Sequence, residues 1–214
     1  MKCVIMANGE YGEVKDYLEA VKEADFIFCA DGGANYAYKA GIIPDAVIGD
    51  MDSINSEVKQ SFMEKGVLFR KYPRRKDFTD TQLTLALAEE KGASEVVFLG
   101  TLGGRLDHAL SNIYLGIEYV RKGMKIKHCT SDYVLYLTAD ELEISGKQGD
   151  IISILVLTDT AREVCTEGLE YPLNNADLEK GNPYAVSNIL SASKALIKVG
   201  EGVLAVLHYT GQVG

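Results

Sequence analysis

The chain has 214 residues, a length that suits one large domain or a medium domain followed by a smaller one. Its 47% hydrophobic and 25% charged residues are ordinary for a globular protein, and a formal net charge of −9 argues against a surface that binds nucleic acid. The sequence has no export signal and no run of the ~18 apolar residues that cross a bilayer, so we expect a cytoplasmic protein that does not bind membranes.

Strand-like and helix-like segments alternate over residues 1–128. The apolar runs that we predict to be strands are, in order, Cys3–Ala7, Phe26–Ala30, Ala46–Ile48, Val67–Lys71, Val96–Leu99 and Ile126–Cys129. Between them, helical spacing relates Val14, Tyr17, Leu18 and Val21, and one continuous helical stripe comprises Leu106, Leu110, Ile113, Ile117 and Val120. Uniformly apolar strands alternating with helices predict an α/β domain with a largely parallel sheet covered on both faces.

Residues 129–214 have a different pattern, without a long helical stripe. The β-prone runs are Val134–Leu137, Ile151–Leu157, Leu169–Leu173, Ala195–Val199 and Val203–Tyr209. The glycines of Val199–Val203 predict a hairpin turn between the last two runs. We therefore expect the α/β domain to be followed by an all-β domain, either a sandwich or a flattened barrel.

Glycines and carboxylates follow three of the predicted strands. Asp31-Gly32-Gly33-Ala34-Asn35 follows the second strand, Gly49–Ser53 follows the third, and Gly100–His108 follows the fifth. Ligands of an open parallel sheet bind beyond the carboxyl ends of its strands. Because these three segments end at the same edge of the sheet, the sequence predicts a ligand site there.

The run Gly49–Ser53 contains two aspartates, Asp50 and Asp52, which are two residues apart and can point to the same side. Carboxylates that lie so close repel each other unless a cation sits between them, and Mg²⁺ typically takes one or two carboxylates together with substrate phosphates. The alternative is an Asx-rich turn in which Ser53 or Asn55 caps a following helix. Taken alone, the run leaves both interpretations open.

A second constellation precedes a predicted helix that runs through Leu87. Thr79 and Gln82 have the spacing of a capping box, and Asp80 in the first turn suits the helix dipole. The cap does not account for Lys76 and Asp77. A lysine beside a helix N-terminus favours phosphate binding, and an acid there can complete a metal site.

The third constellation opens the last helix of the α/β part. Gly103 and Gly104 permit a ligand to approach the backbone closely, and Arg105 can bind a phosphate through two hydrogen bonds. His108 and Asn112 form an i,i+4 pair that can face the site or brace it. The glycines match neither the GxxxxGK[ST] loop nor the GxGxxG fingerprint, so a dinucleotide site is not supported.

Taken in order, these motifs resemble the thiamine pyrophosphokinases. The resemblance extends into the β part, through Gly168–Leu173 and Ser187-Asn188. It implies a Rossmann-like catalytic domain over residues 1–128, which binds Mg²⁺ and ATP, and a C-terminal β-sandwich over residues 129–214, which binds thiamine and forms a homodimer. It also implies active sites shared between the two chains and transfer of diphosphate from ATP to the thiamine hydroxyl, giving thiamine diphosphate and AMP.

The resemblance also assigns roles to individual residues. The implied Mg²⁺ ligands are Asp50, Asp52 and Asp80. The implied phosphate contacts are Thr79, Gly103, Gly104 and Arg105, while Asp31 and Asp107 complete the acidic centre. The remaining binding residues are Gly32, Gly33, Asn35, Lys76, Asp77, His108, Asn112 and, from the partner chain, Ser187 and Asn188. Some relatives stack an aromatic ring on thiamine; here Tyr184 takes that place or the stack is absent.

Other functions remain open on the residues alone. One is a Mg²⁺-dependent kinase or nucleotide hydrolase that acts on another small substrate, and another is a non-catalytic regulator that binds thiamine or a nucleotide. A regulator would be expected to have lost part of the acidic centre. Because all four acids, Asp50, Asp52, Asp80 and Asp107, are present, catalysis is favoured, with Asp80 or Asp107 as the acceptor of the hydroxyl proton.

Overall fold

The computed structural model describes residues 1–13, 17–73 and 77–210. The chain divides into two compact units, of which the first comprises Met1–Leu115 with His128–Ser131 and the second comprises Gly116–Lys127 with Asp132–Gly214. Within the described residues, no helix combines the length and the apolar character needed to span a membrane.

The first unit contains a parallel sheet with the strand order β5-β1-β2-β3-β4. Its strands are β1 (Lys2–Met6), β2 (Phe26–Ala30), β3 (Ala46–Gly49), β4 (Leu68–Lys71) and β5 (Glu95–Leu99). Its helices are α1 (Leu18–Lys22), α2 (Gly33–Lys39), α3 (Ser56–Glu64), α4 (Asp80–Glu90) and α5 (Leu106–Leu115). The predicted strands and the largely parallel sheet are confirmed.

Apolar side chains explain why this sheet is buried. Met6, Cys29, Val47 and Val97 of four neighbouring strands are completely buried, and Phe62 of α3 packs in the same core. Strand β4 lies at the edge of the sheet and is the most exposed of the five, which agrees with its charged composition (Leu-Phe-Arg-Lys). The core therefore holds the other strand ends at fixed positions, and these are the ends that carry the predicted site.

The prediction of one continuous helix from Leu106 to Val120 is wrong. The division falls at a single residue, since α5 ends at Leu115 and α6 (Ile117–Arg121) begins after Gly116, whose φ of −71° and ψ of −18° are still helical. The predicted apolar stripe is also not buried throughout, since Leu106 is 71% and Leu110 is 41% exposed. The part of the first predicted helix that contains Val14 lies outside the described residues.

The second unit contains two antiparallel sheets in addition to α6. Strand β6 (Lys125–Cys129) begins in this unit and ends in the first. One sheet has the order β12-β9-β14-β7, with β7 (Tyr133–Thr138), β9 (Ile151–Val156), β12 (Asn188–Ile189) and β14 (Leu204–Tyr209). The other has the order β11-β10-β13-β8, with β8 (Glu141–Ser145), β10 (Thr160–Glu167), β11 (Ala176–Glu179) and β13 (Lys194–Lys198).

One core joins the two sheets of the second unit. It contains Ile152 and Val206 from one sheet and Ile144, Val164 and Ile197 from the other, all buried. Two sheets that share a core between their inner faces form a sandwich. Of the two architectures that the sequence left open, the sandwich is therefore correct.

Two predictions in the β part are wrong. Leu169–Leu173 does not form a strand, and its β-pairing consists of an isolated bridge between Leu169 and Leu190. The segment Val199–Val203 is not a hairpin turn, because β13 pairs with β8 and β10 whereas β14 pairs with β7 and β9. Both are inner strands of their own sheets, but they differ in burial: β14 is almost fully buried, whereas β13 alternates the buried Ala195 and Ile197 with side chains that are at least partly exposed.

Candidate active site

A cleft of about 740 Å³ lies in the first unit, at the carboxyl ends of β1, β2, β3 and β5. This is the edge at which ligands of open α/β sheets bind. The predicted site residues that line it are Asp31, Asp50, Asp52, Thr79, Asp80, Gly103, Gly104, Arg105, His108 and Asn112. The fold therefore brings together residues that are spread over more than eighty positions of the sequence.

Three carboxylates form the acidic centre of the cleft. Ligand oxygens of Asp31, Asp50 and Asp52 lie within 4.8 Å of one another. Asp31 is 8% exposed, and its Oδ1 atom is buried without a hydrogen-bond partner. Burial raises the pKa of Asp31, the carboxylates of Asp80, Asp50 and Asp52 raise it further, and a hydrogen bond with Ser53 opposes them. A buried oxygen with free lone pairs beside other acids fits a hard divalent cation.

Backbone conformation directs these carboxylates into the cleft. Asp31 and Met51 have positive φ values of 43° and 69°, which is uncommon for residues other than glycine and concentrates at functional sites. The side chain of Met51 is buried in the core, whereas the flanking Asp50 and Asp52 line the cleft. Gly49, with φ of 150°, leaves room for the acids, because a Cβ there would lie 2.9 Å from Asp31 Cβ.

The alternative interpretation of the Gly49–Ser53 run, a turn stabilised by its own side chains, is partly realised. Asp52 N donates to Asp50 Oδ1 at 3.1 Å, which is an Asx-type turn, and Ser53 Oγ donates to Asp52 Oδ1 at 3.1 Å. Asn55 occupies the N-cap position of α3, but no side-chain hydrogen bond caps that helix. The turn and the acidic centre therefore coexist, and the turn holds the carboxylates together.

Asn35 braces this turn from α2. Its Nδ2 donates to Ser53 O at 2.8 Å, and its Oδ1 accepts from Asn55 N at 3.0 Å. Gly33 allows α2 to approach β1, since a Cβ on it would lie 2.1 Å from Met6 O, and a Cβ on Gly32 would meet the side chain of Asn8. Of the predicted binding residues, Gly32, Gly33 and Asn35 are not among the described residues that line the cleft.

The N-terminus of α4 forms another wall. Gln82 N donates to Thr79 Oγ1 at 3.1 Å and Thr79 N donates to Gln82 Oε1 at 3.0 Å, so the predicted capping box is confirmed, and the helix continues to Glu90. Asp80 follows in the first turn and lines the cleft. Asp77 is exposed and is not part of the cleft wall. The prediction for Lys76 lies outside the described residues.

The turn from Gly100 to Arg105 connects β5 to α5. Its three glycines, Gly100, Gly103 and Gly104, all have positive φ, at 64°, 89° and 63°. Arg105 donates to Asp107 from Nε at 3.1 Å and from Nη2 at 2.5 Å. The hydrogen bonds from Arg105 lower the pKa of Asp107 to about 2. Asp107 thus accepts two hydrogen bonds that orient Arg105, and of the two residues Arg105 lines the cleft.

Asn112, on α5, contacts the same turn between β5 and α5. Its Nδ2 donates to Thr101 O at 2.8 Å, and it is the buried residue of a helix that otherwise exposes much of its surface. His108, four residues earlier, lines the cleft and is exposed. Of the two functions considered for this pair, Asn112 braces the turn and His108 faces the cleft.

Several residues of the cleft were not predicted from the sequence. They are Asn8, Gly9, Glu10, Tyr36, Phe78, Thr81 and Thr101. The first three follow β1, so the test applied to the other strand ends would have found them. Glu10 is placed over the glycine turn, with its Oε2 2.7 Å from the point where Gly103 would carry a Cβ.

Ser187 and Asn188 lie in the second unit. Asn188 forms a two-way pair with the backbone of Tyr171, accepting from its N at 3.1 Å and donating to its O at 2.7 Å. Ser187 has a φ of 57° and its N donates to Ser153 Oγ at 2.9 Å. Near them in sequence, Tyr184 is 53% exposed. The hydrogen bonds of Ser187 and Asn188 fix the start of β12.

Comparison with known protein families decides the assignment. The family description "Thiamin pyrophosphokinase, catalytic domain" matches residues 17–128, and "Thiamin pyrophosphokinase, vitamin B1 binding domain" matches residues 140–204. The chain belongs to the thiamin pyrophosphokinase family. The resemblance found in the motifs is thereby confirmed.

Individual members of the thiamin pyrophosphokinase family are similar over nearly the whole chain. The thiamine pyrophosphokinase of Bacillus subtilis is 28% identical over 208 residues, which cover 96% of this chain and 97% of that one. Its crystal structure has a TM-score of 0.88 at 27% identity and covers 99% and 100% of the two chains. The enzyme from Geobacillus thermodenitrificans, at 24% identity and a TM-score of 0.83, covers 100% of this chain and 99% of that one and shows the same fold.

Proposed function

We propose that this chain transfers the terminal diphosphate of ATP to the hydroxyl group of thiamine, giving thiamine diphosphate and AMP. The observation that carries the proposal is the acidic centre of Asp31, Asp50 and Asp52 in a cleft of the family's catalytic domain. A binding protein without activity has no need to keep carboxylates that repel one another in the absence of a cation. Residues 1–128 would carry the catalytic machinery, and residues 129–214 would bind thiamine.

Mg²⁺ is the proposed metal of this centre. Asp31, Asp50 and Asp52 would hold it, and Asp80, which raises the pKa of Asp31 by its proximity, lies close enough to take part directly or through water. Bound there, Mg²⁺ would supply positive charge against the phosphates of ATP. The orphaned Oδ1 of Asp31 supports this assignment, because a buried carboxylate oxygen without a donor is otherwise costly.

The protein's own donors are proposed to orient the phosphates. Arg105 has two-point hydrogen-bonding geometry, and Gly103 and Gly104 expose their backbone to the cleft. The N-terminus of α4 at Thr79 directs the positive end of a helix dipole at the same space. Lys76 and Asp77 precede that helix and remain proposed phosphate and metal contacts, because a lysine beside a helix N-terminus favours phosphate binding and an acid there can complete a metal site, although Asp77 does not line the cleft itself.

In the proposed reaction, the thiamine hydroxyl oxygen bonds to the β-phosphorus while the bond from that phosphorus to the α–β bridging oxygen breaks. AMP leaves with the bonding pair, and the hydroxyl proton passes to a carboxylate. Between the two carboxylates considered, we assign this role to Asp80, because the hydrogen bonds from Arg105 lower the pKa of Asp107 to about 2 and make it a weak base. His108 faces the cleft and would contact the nucleotide.

We further propose a homodimer in which Ser187 and Asn188 of the partner chain approach thiamine. Exposed apolar side chains on both units support an interface: Leu106, Leu110 and Tyr114 on α5, and Tyr171, Tyr184 and Val186 in the second unit. Tyr184, which is exposed, would supply the aromatic surface for thiamine. Sedimentation at micromolar concentration tests this directly, since a single species of 23.3 kDa would exclude shared sites.

The test of the proposed activity is incubation of the protein with ATP, Mg²⁺ and thiamine, followed by analysis of the nucleotide product. We expect AMP in an amount equal to the thiamine diphosphate formed. ADP would indicate a kinase, and orthophosphate released without thiamine would indicate a hydrolase. Binding of ATP or thiamine without any product would indicate a regulator.

A further inference from the structure

A completely buried histidine lies next to the cleft and has no role in the reaction as proposed. His128, on β6, is 0% exposed, and its ring stacks on Phe98 of β5 with centroids 4.7 Å apart and an angle of 13° between the rings. Its Nδ1 and Thr101 Oγ1 are joined by a hydrogen bond of 2.8 Å. Its Nε2 is buried without a hydrogen-bond partner.

The unpartnered Nε2 destabilises the folded state, so the presence of histidine here points to a function for the hydrogen bond of its Nδ1. A buried nitrogen without a partner loses the hydrogen bonds that it makes to water in the unfolded chain. Phenylalanine would fill nearly the same space and stack on Phe98 without that loss. What phenylalanine would not provide is the hydrogen bond to Thr101.

Thr101 is one of the residues through which the glycine turn is held, besides Gly100, whose O accepts from Gly9 N at 2.7 Å. The turn Gly100–Arg105 contains three glycines with positive φ, a composition that leaves the free backbone with many accessible conformations. Two side chains hold it at the same residue: Asn112 Nδ2 donates to Thr101 O, and His128 bonds Thr101 Oγ1. Thr101 is 5% exposed and forms part of the cleft lining, directly before the residues proposed to bind phosphate.

We propose that His128 is a positioning residue that fixes the turn Gly100–Arg105 through Thr101 and thereby sets the orientation of Arg105 and the glycine backbone toward the phosphates of the nucleotide. The inference rests on the proposed function for the identity of the ligand, but the hydrogen bonds that carry it are independent of the reaction. Burial lowers the pKa of His128 to about 3, so the imidazole is neutral near neutral pH and its bond to Thr101 does not change with pH there.

The variants His128→Phe and Thr101→Val test this proposal, separately and together. Each removes one partner of the hydrogen bond and keeps the volume of the site. We expect each to lower kcat/KM for ATP by about 10- to 100-fold, because small displacements of positioning groups cost that much, and to leave KM for thiamine unchanged. The double variant should be no worse than the worse single variant, because both remove the same interaction.

Stability distinguishes positioning from a structural role. The double variant His128→Phe/Thr101→Val should melt at the temperature of the wild type or above it, since it removes both partners of the hydrogen bond together with the unpartnered nitrogen, whereas His128→Phe alone leaves the Thr101 hydroxyl without a partner and should melt lower. Thr166→Val is the matched control: it removes a buried hydroxyl that accepts from Leu173 N at 2.8 Å in the second unit, and it should lower the melting temperature without changing KM for ATP. If His128→Phe does not fold, the kinetics of Thr101→Val for ATP test the proposal on their own.

Wild-type kinetics for ATP in both Thr101→Val and the folded His128→Phe protein would overturn the proposal, and so would losses that multiply in the double variant. Calorimetric titration with ATP and Mg²⁺ in the absence of thiamine tests the positioning role of His128 separately from the proposed function. A wild-type protein that binds ATP but yields no AMP contradicts the proposed function only. Weaker ATP binding by His128→Phe supports the positioning role in either case.

Discussion

Asp80 Oδ1 lies 3.0 Å from the point that a Cβ would occupy on Gly49. Gly49 is the last residue of β3, and its φ of 150° is a conformation that residues with side chains rarely adopt. A methyl group there would displace the carboxylate of Asp80, and also Asp31, whose Cβ would be only 2.9 Å away. The absence of a side chain at this one position therefore allows the acids to converge.

The variant Gly49→Ala should accordingly lower activity by at least about 10-fold and the free energy of unfolding by about 1–3 kcal/mol, the usual cost of overpacking. The measurements are turnover and urea denaturation. Gly41→Ala is the control, because Gly41 has φ of 70° but open space around its Cβ position. It should lose stability and keep activity; equal activity of the two variants would contradict the role of Gly49.

Asp31→Asn should stabilise the metal-free protein. Because burial raises the pKa of Asp31, the ionised carboxylate disfavours the folded state at neutral pH, and a neutral amide removes that effect. Asparagine also tolerates the φ of 43° at this position. We expect a gain of about 1 kcal/mol in thermal or urea unfolding, together with loss of activity.

Mg²⁺ gives the same experiment a second readout. Wild-type protein should melt at a higher temperature with Mg²⁺, as expected for a ligand that binds only the folded state, whereas Asp31→Asn should gain little. Asp159→Asn, an exposed acid in the second unit, should respond to Mg²⁺ as the wild type does. An undiminished Mg²⁺ response in Asp31→Asn would exclude Asp31 from the metal site.

Arg105 should be irreplaceable by lysine. Its two hydrogen bonds to Asp107 hold a planar guanidinium in one orientation, a geometry that an ammonium group cannot reproduce. We expect Arg105→Lys and Arg105→Ala each to lower kcat by about 10²- to 10³-fold, the size seen when a group that stabilises transition-state charge is lost. Asp107→Asn should cost less, because it weakens only the orientation. Single-turnover rates of the three variants provide the comparison.

Thr79→Ala should destabilise α4 by about 1 kcal/mol, since it removes the N-cap hydroxyl of a reciprocal capping box. Thr79→Ser keeps the hydroxyl and should retain most of the stability. Urea denaturation of the two variants measures the difference. Equal destabilisation of both would show that the methyl group of Thr79, and not its cap, is what stabilises the helix.

The buried pair of Asp150 and His208 in the second unit predicts a pH dependence of stability. Burial opposes ionisation of Asp150, but hydrogen bonds from Lys147 N at 2.9 Å and from His208 at 2.8 Å together lower its pKa. A carboxyl with a lowered folded-state pKa stabilises fully above its unfolded pKa, and this contribution is lost as the pH falls through the folded value.

Asp150→Asn should therefore be less stable than the wild type at neutral pH, and the difference should shrink as the solution is made acidic below the ordinary range of an aspartate. Urea denaturation across a pH series measures it. Asp159→Asn should show no such trend. A stability difference that stays constant down to strongly acidic pH would mean that Asp150 acts through its shape and not its charge.

Features of the fold that depend on residues close together in sequence could be predicted, and features that depend on distant partners could not. Most strands of the first unit are largely apolar runs, and the cap at Thr79 is a four-residue pattern, so both were predicted correctly. The pairing of β13 and β14 with different sheets depends on distant partners, and Val199–Val203 was therefore misread as a hairpin. The exposure of Leu106 on α5 likewise depends on what surrounds the helix, which its spacing does not reveal.

The same distinction holds for the site. Asp50 and Asp52 were identified because they are only two residues apart in sequence and follow a strand. Asp31 joins them only because β2 and β3 are neighbours in the sheet. The sequence did not indicate a role for His128. In sequence it looks like an ordinary strand residue, and its hydrogen-bond partner Thr101 lies 27 positions away.

The most direct test of the central claim is to follow the β-phosphorus of ATP. The protein is incubated with Mg²⁺, thiamine and ATP that carries a radioactive label on this atom, and the products are separated. Transfer of the diphosphate predicts that all transferred label appears in thiamine diphosphate and that AMP is unlabelled. Label in ADP, with thiamine monophosphate as the other product, would contradict the account.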